Sequence, residues 1–293
     1  MTPMLGIMAS GISGHLTPAT IETLVIAGGG GGSRWYGGGG GGAGGLLYTA
    51  AQAMTIGNTY TIIVGAGGAG TNADASTGVN GSTSKFGTQA DAVGGGGATS
   101  STNAKTTGGS AGGGCNANTG GTKTSGQGND GGSSVFAAGG GGGGAGGNGS
   151  NGTSTAYAGA GGVGSLSYST WGSATTSGQN VSGTYYFAGG GAGGNDNQGS
   201  PGTYPAGVGG YGGGGNGGSG TPGTPAAGSN GTANTGGGAG GGSHATGGTG
   251  GSGIVLLKIA GTYTAAATTG SPTRTVSGGN TYYVFNSSGS ITY

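Results

Sequence analysis

Apolar residues are confined to a few short runs that lie near the two ends of the chain. Ile21-Glu22-Thr23-Leu24-Val25-Ile26-Ala27, Leu46-Leu47-Tyr48 and Tyr60-Thr61-Ile62-Ile63-Val64 carry the β-branched and aromatic content of strands. Gly57-Asn58 marks a turn before the third run. Gly253-Ile254-Val255-Leu256-Leu257-Lys258-Ile259 is a strong apolar strand, and Thr281–Phe285 and Ser290–Tyr293 follow it. Asn286-Ser287-Ser288-Gly289 reads as a hairpin loop between these last two. No window repeats apolar residues at helical spacing, so no long α-helix is expected. The pattern predicts a mainly β and irregular fold: one small sheet or sandwich from which the middle of the chain projects.

That middle is glycine. Of 293 residues, 92 are glycine, and the longest runs are 28–32, 37–42, 94–97, 139–144 and 212–215. Such runs are poor helices, poor strands and poor cores, because they have no side chains to bury. They are either disordered or packed backbone to backbone. Only 4% of residues are charged, whereas disordered segments are usually kept soluble by charge. Order is therefore expected, as extended left-handed helices with three residues per turn, bonded to neighbours on every side. Unbroken glycine rules out the three-residue collagen period and points to the polyglycine II arrangement. Net hydrogen bonds of about 0.5–1.5 kcal/mol do not hold one such helix against about 1–2 kcal/mol of backbone entropy per residue. A bundle seeded by the flanking strands is required. Side chains inside it would clash, so Ala43, Ala145, Ala192 and Ala239 are expected at its margins. The run 139–147 is expected as a single helix of roughly 28 Å. Asn80-Gly81, Asn148-Gly149, Asn151-Gly152, Asn216-Gly217 and Asn230-Gly231 are expected as turns between helices.

Three regions follow: a glycine-poor head at 1–20, the glycine-rich region 21–260 and a C-terminal β module at 261–293. The head carries Met4, Leu5, Ile7, Met8, Ile12 and Leu16, too few apolar residues for a core of their own, and is expected to dock on a partner. No basic n-region precedes an apolar core, so no secretion signal is expected. No apolar stretch reaches bilayer length, and no membrane insertion is expected.

Six basic and five acidic residues are scattered without clusters, which argues against nucleic acid. So low a charge makes a free monomer prone to association, and a larger assembly is expected. Cys115 is the one cysteine, set among glycines; it is expected to be buried or half-buried, with no His or Lys close in sequence to activate it. His15 and His244 stand alone in sequence, and no paired carboxylates appear, so neither catalysis, a metal site nor a cofactor is expected. Gly65-Ala66-Gly67-Gly68-Ala69-Gly70 matches G-x-G-x-x-G after a strand, but no helix follows it, and the match is expected by chance in this composition.

The entry Leu24-Val25-Ile26-Ala27 into Gly28–Gly32, with Gly40-Gly41-Gly42-Ala43-Gly44-Gly45 beyond it, resembles the glycine-rich domains of phage tail-fibre proteins and adhesins. The exit Gly250-Gly251-Ser252-Gly253-Ile254-Val255-Leu256-Leu257-Lys258 and the ending Tyr282–Thr292 are similar to the closing strand and terminal module of those domains. The head resembles the start of tail proteins from environmental tailed phages. This resemblance implies a non-enzymatic virion protein and, with no extended trimeric shaft read in the sequence, a compact tip or small fibre. It implies attachment to other tail proteins through the N-terminus, contact with a host surface protein or glycan through loops between glycine helices, and association as a homo-oligomer, with a trimer as the family's example. The alternative is a capsid decoration or head fibre without a receptor.

Aromatic residues sit between glycine runs, accompanied by Ser, Asn and Thr, a composition that suits recognition surfaces. The candidate receptor contacts are Arg34, Trp35, Tyr36, Tyr157, Tyr168, Trp171, Tyr185, Tyr186 and Tyr204. Leu166 and Phe187 are expected to pack against the lattice or the sheet instead.

Overall fold

The computed structural model describes residues 20–74, 76–99, 106–153, 157–197 and 204–293. The docking residues expected in the head, Met4 to Leu16, lie outside the described residues. The strands are β1 (Thr20–Ile26), β2 (Leu46–Ala53), β3 (Thr59–Ile63), β4 (Lys85–Phe86), β5 (Gln179–Val181), β6 (Thr184–Tyr186), β7 (Asn195–Asp196), β8 (Ser219–Gly220), β9 (Ile254–Ala260), β10 (Ala267–Thr269), β11 (Thr273–Ser277), β12 (Asn280–Phe285) and β13 (Gly289–Thr292). One short helix, α1 (Ser169–Thr175), lies among them.

Two sheets form a sandwich. The larger has the order β11-β12-β9-β1-β2, and the smaller β10-β13-β3-β4. Val25, Val255, Leu257, Tyr283 and Phe285 of the first meet Ile62, Phe86, Ile291 and Tyr293 of the second. The alternate residues Leu24, Ile26, Leu256, Tyr282 and Val284 face the other way, onto Trp171, Phe187 and Ala43. β1 and β9 are covered on both faces, which is why they read as unbroken apolar runs. The hairpin expected at 286–289 does not form. β12 pairs with β9 and β11, whereas β13 pairs with β3 and β10, so these residues cross between sheets. The two apolar runs each had a better-buried partner than the other. Residues 261–293 thus supply strands to both sheets.

The glycine runs pack as an array of extended helices, and the helix leaving β1 displays the rule. Gly28 and Gly31 donate to Ser82 and Val79, Gly29 and Gly32 to Gly251 and Gly248, and Gly30 and Ser33 to Gly42 and Gly39. The carbonyls of 28 and 31 accept from Gly95 and Ala98, those of 29 and 32 from Gly68 and Thr71, and those of 30 and 33 from Ala239 and Gly242. The period is three, and the helix has six neighbours. Three are antiparallel and receive its amides; three are parallel and supply amides to its carbonyls. Helices 38–45, 139–144, 188–194 and 237–242 are likewise enclosed. Each main-chain amide and carbonyl of residues 28–33 is thus answered by a neighbour, as the interior of a fold requires. A Cβ added at Gly28, Gly29 or Gly30 would lie 2.0, 2.1 or 2.2 Å from a neighbouring carbonyl oxygen, one on each of three faces. The runs 28–32, 37–42 and 139–144 therefore mark the interior, whereas 212–215 opens in a turn, with φ 106° at Gly212 and 92° at Gly213.

Three sequence expectations are revised here. Ala43, Ala192 and Ala239 are fully buried rather than marginal. The array is not uniformly closed; Ala43, for example, turns its methyl into the apolar cluster beneath the sheet. The run 139–147 is not one helix. It bends at 145–147, where the Gly144 amide donates to Gly147, and only Ala145 is half-buried as expected of a margin. Nor are the Asn-Gly pairs turns. They lie on edge helices, and each Asn Oδ1 accepts an amide from the adjacent helix: Gly97 to Asn80 at 2.8 Å, Asp130 to Asn148 at 3.2 Å, Ser133 to Asn151 at 2.7 Å, Gly209 to Asn216 at 2.8 Å and Thr249 to Asn230 at 2.8 Å. The glycine that follows faces inward; a Cβ at Gly149 would lie 2.0 Å from the Gly141 oxygen. At an edge the next helix is missing, and the carboxamide stands in for its peptide carbonyl. The reversals are made elsewhere, for example at Asn116-Ala117, where both residues have positive φ (53° and 58°).

Cys115 is buried as expected, and desolvation pushes its thiol up to about 12. Gly65–Gly70 is an ordinary helix of the array, with Gly68 and Thr71 donating to Gly29 and Gly32.

Candidate functional site

The array has two ends. The sandwich occupies one, because β1, β2, β3 and β9 run directly into helices there. The other end is closed by loops, among them Arg34–Gly37, Asn72–Asp74, Val135–Ala138, Asn195–Asn197 and Ser243–Ala245. This division separates the expected contact residues into two groups. Arg34, Trp35, Tyr36, Tyr157 and Tyr204 lie at the loop end. Tyr168, Trp171, Tyr185 and Tyr186 lie at the sandwich end.

At the sandwich end, Trp171 is 5% exposed, which removes it from any contact surface. Its ring packs at 6.0 Å from Tyr282 and 6.2 Å from Tyr168, with the Lys258 ammonium 5.8 Å from its centroid. α1 forms because this indole docks on the sheet; its sequence, STWGSAT, offers no N-cap side-chain bond and few helix formers. Tyr168 is half-buried beside Tyr48, with ring centroids 5.2 Å apart. Tyr48 donates to Glu22 at 2.6 Å, and Lys258 donates to the other carboxylate oxygen at 2.7 Å. Burial alone would raise the Glu22 carboxyl, but these two bonds and the Lys258 charge hold it below its ordinary value. The same Glu22 bond is the main reason the Tyr48 hydroxyl is pushed up to about 12. Tyr185 donates its amide to Ser169 of α1, and Tyr186 lies 5.5 Å from Tyr211. Phe187 is buried as expected, whereas Leu166 is exposed.

The loop end is organised around Trp35 and Tyr36. The turn that carries them joins two enclosed helices, 27–33 and 38–45, so its position is fixed by the array. The loop at 243–244 clamps both carbonyls: His244 donates its amide to Trp35 at 2.8 Å, and Ser243 its hydroxyl to Tyr36 at 2.9 Å. His244 sits at φ 50°, a conformation that non-glycine residues adopt at a cost. Tyr36 stacks on Phe136 at 5.2 Å and 29°, and meets the His244 ring edge-on at 5.0 Å. Phe136 is 53% exposed and Tyr36 37%, so the stacked pair presents an aromatic surface to solvent. Arg34 reaches Asp74 at 3.0 Å and the Asn72 carbonyl at 2.7 Å; His244 Nε2 lies 3.3 Å from the buried Asp196 carboxylate. Arg34, Trp35, Tyr36, Asp74 and His244 line one cleft of about 100 Å³. Tyr157 is exposed on a neighbouring loop, and Tyr204 is half-buried, its amide donating to Asn197.

Sequence reasoning missed Phe136, Asp74 and His244 as members of this cluster. The position of each carried a signal. Phe136 shortly precedes the run 139–144 as Tyr36 precedes 37–42, and His244 follows 240–242. A residue flanking an interior run at its loop end necessarily shares that end with the others. Among the described residues no group of His, Cys, Asp and Glu gathers to hold a metal, and no helix is long and apolar enough to cross a membrane.

Comparison with curated proteins and with solved structures returns no match. The model of one family, described as a glycine-rich domain, matches residues 13–260, from before β1 to the last residue of β9. That span contains the whole helical array and the central strand pair on which it is built, and the chain belongs to the glycine-rich domain family.

Proposed function

We propose that this protein is a non-enzymatic virion component of a tailed phage, a tail-fibre or tail-tip adhesin. Loops at the free end of the array touch the host cell surface, and the N-terminal segment attaches the chain, as a homo-oligomer, to other tail proteins. One observation carries the reading: a solvent-facing Tyr36–Phe136 stack held on a rigid turn at the end away from the sandwich. Interior helices fix the turn in place, and stiff aromatic rings lose little entropy on contact, which suits recognition. The resemblance of the entry and exit strands to phage tail-fibre domains supports the same reading.

Purified full-length protein should bind envelope preparations from a subset of a bacterial panel. The pair Tyr36→Ala and Phe136→Ala should each lower that binding at least tenfold, while substitutions at exposed Leu166, at the other end, should not. Binding that survives both aromatic changes would overturn the reading. Immunogold labelling of intact particles places the chain; gold on the capsid rather than the tail would make it a decoration protein.

A further inference from the structure

We infer that the five Asn-Gly pairs of the array are deamidation sites that the fold holds shut, and that they react only when an edge helix comes away from its neighbours. The array alone decides this, whatever the loop end binds.

Asn-Gly is the dipeptide at which an unstructured chain most readily loses side-chain ammonia, because glycine leaves its own amide uncrowded. The glycine amide nitrogen attacks the Asn Cγ, the Cγ–Nδ2 bond breaks, and ammonia departs with the amide proton. The succinimide ring that remains takes up one water and opens to aspartate or isoaspartate. One water is consumed, one ammonia is released, and nothing is oxidised or reduced. Two freedoms are needed: the glycine amide must be released from other bonds, and the carboxamide must swing back to reach it.

The array denies both at every pair. The glycine amides are committed to neighbouring helices: Gly81 to Gly95 at 2.9 Å, Gly149 to Asp130 at 2.9 Å, Gly152 to Ser133 at 2.8 Å, Gly217 to Gly207 at 3.1 Å and Gly231 to Thr249 at 2.9 Å. The carboxamide before each is held by the same neighbour. At Asn148, Asn151 and Asn230 a single residue closes both ends: Asp130, Ser133 or Thr249 accepts the glycine amide on its carbonyl and donates its own amide to the Asn Oδ1. At Asn80 and Asn216 the second bond comes from two residues further along, Gly97 and Gly209. The glycines are also wedged. A Cβ at Gly81, Gly149, Gly152, Gly217 or Gly231 would lie 2.1, 2.0, 2.4, 2.0 or 2.3 Å from a carbonyl oxygen of another helix, so the main chain has no room to turn.

Burial is not the protection. All five Asn residues are exposed, so water and hydroxide reach them. Their rates should therefore follow opening of the edge rather than access of solvent. Isoaspartate adds a methylene to the main chain, which shifts the three-residue register by which an edge helix meets its neighbours. A chain that reacts while open is thus altered at the contacts that would close it.

Full-length protein is held for weeks at pH 8, native in one arm and in guanidinium chloride in the other. Each site is read by tandem mass spectrometry of its peptides. In denaturant all five pairs should react as fast as short synthetic Asn-Gly peptides. In native protein each should be slower by at least about fivefold, because two net hydrogen bonds must open first, which corresponds to roughly 5- to 150-fold. Thr249→Pro then removes one clamp. Thr249 is exposed, and the fixed φ of proline matches an extended three-residue helix, so the change deletes the amide that holds Asn230 and little else. It should speed Asn230 at least about twofold, the effect of one net bond, and leave Asn148 and Asn151 at their native rates. A native rate equal to the denatured rate at any of the five pairs overturns the inference. So does a Thr249→Pro protein with unchanged circular dichroism in which Asn230 reacts no faster. The comparison of native with denatured protein decides the matter even where that variant fails to fold.

Discussion

Replacing Gly30 with alanine tests the array at its centre. A Cβ there would sit 2.2 Å from the Gly96 oxygen, 2.5 Å from its carbon and 2.8 Å from the Gly97 nitrogen. All three are main-chain atoms of an enclosed helix, so nothing flexible can swing aside. The helices must separate by about 1 Å, and overpacking of this kind costs about 1–3 kcal/mol. Separation also strains the bonds that Gly30 makes, from its amide to Gly42 at 2.8 Å and from Ala239 to its carbonyl at 3.0 Å. Losing both adds about 1–3 kcal/mol. Reduced freedom of the unfolded chain returns about 0.4–1 kcal/mol. The net expectation is a loss of about 1–6 kcal/mol, a large part of the stability of an ordinary domain. Gly223 is the control, since nothing lies within 4 Å of a Cβ placed there and its φ is not in the left-handed region. Gly223→Ala should be neutral or stabilising by up to about 1 kcal/mol. Urea unfolding followed by circular dichroism and tryptophan fluorescence measures both. A Gly30→Ala protein within about 0.5 kcal/mol of the parent would refute the close-packed array, whatever the control did.

Further outcomes follow from the edge, the core thiol and the sheet. Asn151→Ala and Asn216→Ala each delete the acceptor of one edge amide, Ser133 or Gly209, and should cost about 0.5–1.5 kcal/mol in the same urea assay; Asn→Asp at either site keeps an acceptor and should cost less. The Cys115 thiol, raised to about 12 by burial, should resist a thiol-disulfide reagent at pH 8 in native protein and react at once in denaturant; rapid native reaction would contradict its burial. The Glu22 carboxyl is lowered in the fold, so its contribution is present above its ordinary value near 4.5 and disappears as pH falls through the folded value. Because the Glu22–Lys258 pair is partly exposed, the effect should stay below about 1 kcal/mol, and Glu22→Gln should flatten the acid limb of the stability profile.

The sequence by itself determined the local chemistry. Strands at 20–26, 46–53, 59–63, 254–260 and 280–285 follow from β-branched and aromatic runs, because such runs have few other ways to be buried. Unbroken glycine in a chain this poor in charge required backbone-to-backbone packing, and the runs 28–32, 37–42 and 139–144 proved to lie in interior helices, while 212–215 opens in a turn. What local chemistry could not decide is which element lies beside which. Glycine helices are almost identical to one another, so their six neighbours are chosen by connectivity and by the sheets that anchor them. Asn-Gly reads as a turn in isolation and becomes an edge cap only when a neighbour's amide lies within reach. β12 and β13 look like a hairpin until β9 and β3 compete for them. α1 has little helical propensity and exists because Trp171 docks on Tyr282. The contact residues divided for the same reason: Trp35 and Trp171 have similar surroundings in sequence, and the direction of the helix before each sent one to the free end and the other into a core.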